Sequence, residues 1–330
     1  MKLISPTLLA VALLTTASAV SAQQGPPDGS TPEQQAVIAN DPPYRVPHLK
    51  LAGLPANGRG TQRLFDGRSL AGWDSWLGYA DPRDTYGSPS GGPIGLNHDT
   101  TGVFRVVTED GRPAIFTSGK IWGGLITKAN YRNYHLHLQF KWGKNAWFPM
   151  PRNNGVLYHS HGAYGAFFGT WMSALEFEIV PKSVGMLLTV GDSKGTHSFQ
   201  TVDWRVGANV SVARDRSIAY PFRRYMPGGR LSPIQMPAFN VDAAVDAERP
   251  LGEWNTLDIY TLGDRSIHVV NGTPVLAASG LSTTDEAGRR HPLTEGRIQL
   301  QSEGAETYLR DITLTPITRL PRILSVGGKK

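Results

Sequence analysis

Apolar and polar residues alternate along much of this chain, most clearly over residues 134–142, Tyr-His-Leu-His-Leu-Gln-Phe-Lys-Trp. In extended backbone, successive side chains point to opposite faces. Leu136, Leu138, Phe140 and Trp142 therefore share one face, and His135, His137, Gln139 and Lys141 share the other. That predicts a strand with one buried side. Residues 174–179 repeat the pattern, with Leu175, Phe177 and Ile179 facing in and Glu176 and Glu178 facing out. Residues 297–302 do the same, Ile298 and Leu300 opposing Gln299 and Gln301. Further strands are predicted at 103–107, 155–159, 186–190, 256–261, 267–270 and 308–314. Gly and Pro punctuate the intervals and helical periodicity is scarce. Short one-sided strands with turns between them predict an all-β fold, a two-sheet antiparallel β-sandwich.

The ends read differently. Lys2, an apolar run over residues 8–14 and a small-residue stretch up to Ala22 follow the order of a secretory signal peptide, with cleavage expected after Ala22. Residues 23–60 are rich in Pro, Gly, Gln and Asn without an apolar period, so a flexible lead-in is expected there. The folded domain is expected over 61–317, with a Pro- and Arg-rich insertion at about 192–250 and a basic tail at 318–330. No segment reaches the ~18 uninterrupted apolar residues that a membrane span needs, so membrane insertion is not expected. The predicted location is the periplasm or the exterior. The net charge is +6, yet the basic residues are scattered apart from Arg223-Arg224, Arg289-Arg290 and Lys329-Lys330. A nucleic-acid groove needs a continuous basic stripe, so no nucleic-acid partner is expected. The chain has no cysteine, so an exported product must rely on its core rather than on disulfides. Nothing in the pattern specifies an oligomeric state.

The candidate chemistry lies on the polar faces. Glu176 and Glu178, at i and i+2 on one strand, point the same way, a geometry suited to dividing acid and base roles on a sugar. The alternative is an ordinary solvated sheet face. His159 and His161 share a face by the same parity, and with Glu176 or Glu178 they offer a divalent-metal set. Equally, they could act as catalytic or substrate-binding histidines with no cofactor at all. Lys141, beside Gln139, is a candidate for stabilising an oxyanion. Eight tryptophans are present, and Trp147 and Trp171 are the candidates for a wall on which a sugar ring stacks. Phosphate-loop, nucleophile-elbow and His-Glu-x-x-His patterns are missing, so kinase, serine hydrolase and zinc protease readings have no support.

Several phrases occur together in order: Leu64-Phe-Asp-Gly-Arg-Ser-Leu-Ala-Gly-Trp73, Leu125-Ile-Thr-Lys128 followed by Tyr131-Arg-Asn-Tyr134, Leu138-Gln-Phe-Lys-Trp142, Asn153-Asn-Gly-Val-Leu-Tyr-His159, Leu175-Glu-Phe-Glu-Ile179, Gly252-Glu-Trp-Asn255 and Gly296-Arg-Ile-Gln-Leu-Gln-Ser-Glu-Gly304. The ordered set resembles the 3-keto-disaccharide hydrolase family over about residues 61–317. The resemblance implies a concanavalin A-like jelly roll holding a carbohydrate, and cleavage of glycosides already oxidised to a ketone at C3. A C3 ketone acidifies the C2 hydrogen, so a base removes it and the C1 substituent leaves, after which water can add. Glu176, His159 and Lys141 fall on matching positions, which implies that Glu176 and His159 share the base and acid roles and that Lys141 stabilises the enolate. Glu178, His161, Gln139, Gln299, Gln301, Trp147 and Trp171 would line the substrate. Position 178 departs from the family's usual Gln, which leaves a retaining glycosidase with Glu176 and Glu178 as its carboxyl pair as a rival. Pro181, where that class places a final Glu, counts against it. A non-catalytic sugar-binding module is the third reading.

Overall fold

The computed structural model describes residues 36, 38–55, 60–147, 152–193, 202–217, 223–234 and 239–326. The leader expected at 1–22, the end of the basic tail and parts of the 192–250 segment lie outside the described residues.

Two antiparallel sheets face each other, as the alternation predicts. In spatial order the first runs Asn240–Val241, Met186–Val190, Ser173–Ile179, Asn154–His161, Glu295–Ser302, Gly123–Thr127, Trp73–Leu77 and Gly95–Leu96. The second runs Arg223–Tyr225, Val206–Arg214, Thr273–Thr284, Arg265–Val270, Asn255–Leu262, Tyr134–Ala146, Ala305–Pro316, Arg112–Thr117 and Phe104–Glu109. Among the described residues, helical backbone is confined to residues 36, 38 and 39 and the 3-10 turn Pro82–Thr85. None of it is long and apolar enough to cross a membrane.

The core lies between the sheets. Leu136, Leu138, Phe140, Leu257 and Ile259 from the second sheet and Val156, Leu175, Phe177, Ile298 and Leu300 from the first belong to one fully buried cluster. Each such side chain contributes roughly 1.5–3 kcal/mol by leaving water. These are the residues whose parity marked them as inward. Polar links also cross the interior: His268 on the second sheet contacts Tyr158 Oη on the first at 3.0 Å, and its Nδ1 meets the Gly185 carbonyl at 2.9 Å. Burial lowers its pKa to about 4, so the ring is neutral at physiological pH.

The stretch expected as an insertion feeds the sandwich directly. Val206–Arg214 pairs with Thr273–Thr284 and buries Val206, Ala208, Val210 and Val212 in the main core. Residues 206–212 alternate cleanly, a signal masked by the Pro and Arg residues around them. The lead-in is also tied down, at Asp41 and over Leu49–Ala52. Leu49–Ala52 pairs with Arg322–Ser325, so the two ends of the described chain form a small sheet of their own. The Asp41 side chain is fully buried, ion-paired to Arg230 and 3.9 Å from Arg223, itself buried. Removing one member of a buried ionic group leaves charge unneutralised in a poor solvent for it. Asp41→Ala is therefore expected to destabilise the fold by about 3 kcal/mol, read as a lower urea midpoint at unchanged slope. An unchanged midpoint would show that the lead-in contributes nothing.

Candidate active site

Glu176 and Glu178 project from the first sheet on the side away from the core. Cross-strand register carries the rows across that face: Glu176 lies opposite Leu157, Leu157 opposite Gln299, and Glu178 opposite Gly155. Gln301 lies opposite Gly124, and Gly124 opposite Trp76. Glycine at 155 makes room for the carboxyl beside it. A Cβ there would sit 2.1 Å from Glu176 Oε1 and 2.9 Å from Gln301 Oε1. At Gly124 a Cβ would approach Gln299 Oε1 to 3.1 Å. Glu303, two residues beyond Gln301, bridges to Asn153 and brings a third carboxyl to this face.

Aromatic rings cover the floor. Trp122, Phe167, Phe168 and Trp171 pack with Leu157 and Tyr86 in a separate cluster on this side of the sheet. Trp122 and Trp171 stack at 5.9 Å, and Trp171 Nε1 donates to the Gly123 carbonyl at 3.0 Å. Glu176, Glu178, Glu303, Gln299 and Gln301 are consequently buried, the three glutamates completely. A solvated sheet face, the alternative open from the sequence, is thereby corrected: the outward side of this strand is as dry as its inward side.

Burial governs the electrostatics. It pushes the Glu176 carboxyl up, with the nearby Glu178 and Gln301 side chains opposing in part. Glu178 is pushed well above the usual carboxylate range by burial, then by the charges of Glu176 and Glu303. Glu303 is raised by burial and by Glu176. The Tyr86 phenol, raised well above its ordinary value by burial and then by the charges of Glu303, Glu176 and Glu178, stays protonated. The Glu176 carboxyl interacts with the side chains of Glu178 and Gln301, and Glu178 in turn with Asn153. Three carboxyls buried together with raised proton affinities are uncommon in native interiors and mark a functional site.

Of the residues singled out from the sequence, the structure brings together Glu176, Glu178, Gln299, Gln301 and Trp171. The others go elsewhere. His159 has Glu176's parity, but a bulge falls between Tyr158 and His161 and puts its backbone at φ 52°. Its buried ring therefore turns into the core against Tyr134 and Tyr158, centroids 5.9 and 5.4 Å away, and burial lowers its pKa to about 4. Ser160 takes its place on the carboxyl face, accepting from Gln299 Nε2 at 2.8 Å. His161 sits at the sandwich margin, its nitrogens on the His159 carbonyl and on Thr283 Oγ1 of the second sheet. The expected metal set of His159, His161 and a glutamate is thus not assembled. His161, Ser160, Tyr164 and Arg297 instead help line a neighbouring cavity of about 340 Å³.

Lys141 and Gln139 need the largest correction. Their strand belongs to the second sheet, whose outer face is separated from the glutamates by the whole sandwich. Lys141 is ion-paired with Glu109 and, at 2.8 Å, with Asp110; Gln139 accepts from Arg310 at 2.8 Å. Neither can reach a molecule held by Glu176. Trp147 is exposed, its indole on the Ser118 carbonyl and its backbone N–H on Gly304, one residue from Glu303. Sequence reasoning missed Glu303, Tyr86, Trp122 and Ser160. Glu303 was within reach of parity, since 299, 301 and 303 share one face. Tyr86 and Trp122 carry no local signal.

The family described as the 3-keto-alpha-glucoside-1,2-lyase-like domain matches residues 60–315. None of the curated proteins matches the sequence. Solved structures share parts of the arrangement at low identity. A Parabacteroides distasonis protein named as a glycosyl hydrolase is 17% identical, covering 82% of this chain and 100% of its own, with a TM-score of 0.43. A carbohydrate-binding module of Bacillus subtilis is 7% identical over 64% of this chain and 91% of its own, with a TM-score of 0.34.

The raised carboxyl pKa values make a stability prediction. The unfolded glutamates ionise near 4.3, whereas the buried ones hold their protons to higher pH. Over that window the folded state binds more protons than the unfolded one, so stability falls as pH rises. Each unit of upward shift amounts to about 1.4 kcal/mol above both values. Glu178→Gln is expected to raise the melting temperature at pH 7.5 and leave it nearly unchanged at pH 4. A variant that melts below the parent at both pH values would contradict this.

Proposed function

Since the chain belongs to the 3-keto-alpha-glucoside-1,2-lyase-like domain family, matched over residues 60–315, we propose that it is a carbohydrate-active enzyme cleaving 3-keto-glycosides by proton abstraction at C2. The observation that carries the reading is the trio of buried glutamates under a cover of indole and phenol rings. Sugar rings present apolar faces that stack on such walls, and a buried carboxyl with a raised proton affinity is suited to taking a proton from carbon near neutral pH.

Glu176 is the base. Its Oε1 lies over Gly155, and its raised proton affinity strengthens it once ionised. The C2–H bond breaks, its electron pair forms the enolate through C3, and the proton moves to Glu176. The enolate then collapses: a C1=C2 double bond forms and the C1–O bond breaks. The departing oxygen takes a proton from Glu178 or Glu303, both held protonated by burial. Addition of water across the new double bond converts the elimination into net hydrolysis. Tyr86 and the Gln301 amide are the donors for the developing negative charge on O3, in place of the distant Lys141. His159, buried among core rings, has no part in the proton transfers. Export to the periplasm or the exterior through residues 1–22 belongs to the same proposal, placing the enzyme where extracellular glycosides are met.

The purified protein is expected to consume a 3-keto-glucoside and leave the parent glucoside untouched. Turnover of the parent alone would move the assignment to a retaining glycosidase, and binding without turnover of either would make it a sugar-binding module. Glu176→Gln should lower kcat by about 10²–10⁴. Because the base must be ionised, kcat/KM should rise with pH along a limb centred clearly above the ~4.3 of a free glutamate.

A further inference from the structure

A second constellation stands on the opposite side of the sandwich, on the outer face of the second sheet. His135 and His137 alternate on the strand Tyr134–Ala146, and Asp258 on Asn255–Leu262 lies directly opposite His137 in the register. His135 Nε2 and His137 Nδ1 each lie 2.7 Å from the same oxygen, Asp258 Oδ1. The three ligand-type atoms all fall within 4.8 Å of one another. The mechanism above uses none of them.

The geometry points to a divalent-metal site of two histidines and one carboxylate at His135, His137 and Asp258, taking an ion of the zinc, cobalt or copper type. Two imidazoles with one carboxylate suit those ions, whereas calcium and magnesium prefer all-oxygen sets. An ion about 2.1 Å from each donor needs the donors roughly 3.4 Å apart in tetrahedral geometry. Small rotations of the two rings supply that separation from the present contacts.

The supports are rigid. Both strands lie inside the second sheet, flanked by Ala305–Pro316 on one side and Arg265–Val270 on the other. The His135 ring stacks on Tyr260 at 4.1 Å and 9°, which fixes its plane. Side-chain exposures of 24%, 34% and 14% for His135, His137 and Asp258 leave the outward side open to solvent. Three protein ligands with an open side are the arrangement of an exchangeable or reactive metal site rather than of a closed structural one.

Calorimetric titration of the full chain with zinc chloride tests this. The parent is expected to bind one more equivalent than His137→Phe or Asp258→Asn, with at least a tenfold loss of affinity for that equivalent. Turnover of the keto-sugar should be unaffected, because the site lies across the sandwich from Glu176. Equal stoichiometry and affinity in folded variants would overturn the proposal. A measurement on the parent alone covers variants that fail to fold: substoichiometric copper(II) should broaden the imidazole proton signals of His135 and His137 before those of any other histidine. Earlier loss at other histidines would equally overturn it.

Discussion

The strand Ser173–Ile179 is buried on both sides, and the rest of the molecule is organised around that fact. Its inward side gives Leu175, Phe177 and Ile179 to the inter-sheet core; its outward side gives Glu176 and Glu178 to a second enclosed space. Burying carboxyls costs free energy that burying leucines does not. The cost appears as raised proton affinities, and the main core offsets it. A protein with one hydrophobic layer between two sheets can keep such a face dry only by adding another layer outside, here the cluster of Trp122, Phe167, Phe168 and Trp171.

That outer layer makes the carboxyls useful. In water they would be ordinary anions, mutually screened and weakly basic. Under the rings they compete for protons, so one can accept while its neighbours still hold theirs. Gly155 and Gly124 keep the floor low enough for a ring to approach, and the bulge before Ser160 removes a bulky imidazole from the face and leaves a small hydroxyl. The two sheets thus divide the work. One carries the buried glutamates on its covered face; the other presents charged and imidazole groups to solvent on the far side, where Lys141 is held by Glu109 and Asp110.

Strand alternation determined a great deal by itself. The β-sandwich, the inward sets Leu136–Leu138–Phe140 and Leu175–Phe177–Ile179, and the shared face of Glu176 and Glu178 all follow from a period of two, which is local and survives any arrangement of strands. The pairing of Gln299 with Gln301 followed from the same rule, and Glu303 would have too. Which sheet a strand joins is not local. The outward faces of Tyr134–Ala146 and Ser173–Ile179 look alike in sequence, yet the sandwich turns them to opposite sides of the molecule, which removed Lys141 and Gln139 from the site. His159 was lost for a different reason: one extra residue in a bulge inverts every parity beyond it. Tyr86 and Trp122 come from segments distant in sequence from Ser173–Ile179, and only the assembled fold packs them against this face. The sequence alone therefore determined which side chains share a strand face; the tertiary structure decided which faces meet and which are covered, because cross-sheet packing and register depend on contacts that no local period encodes.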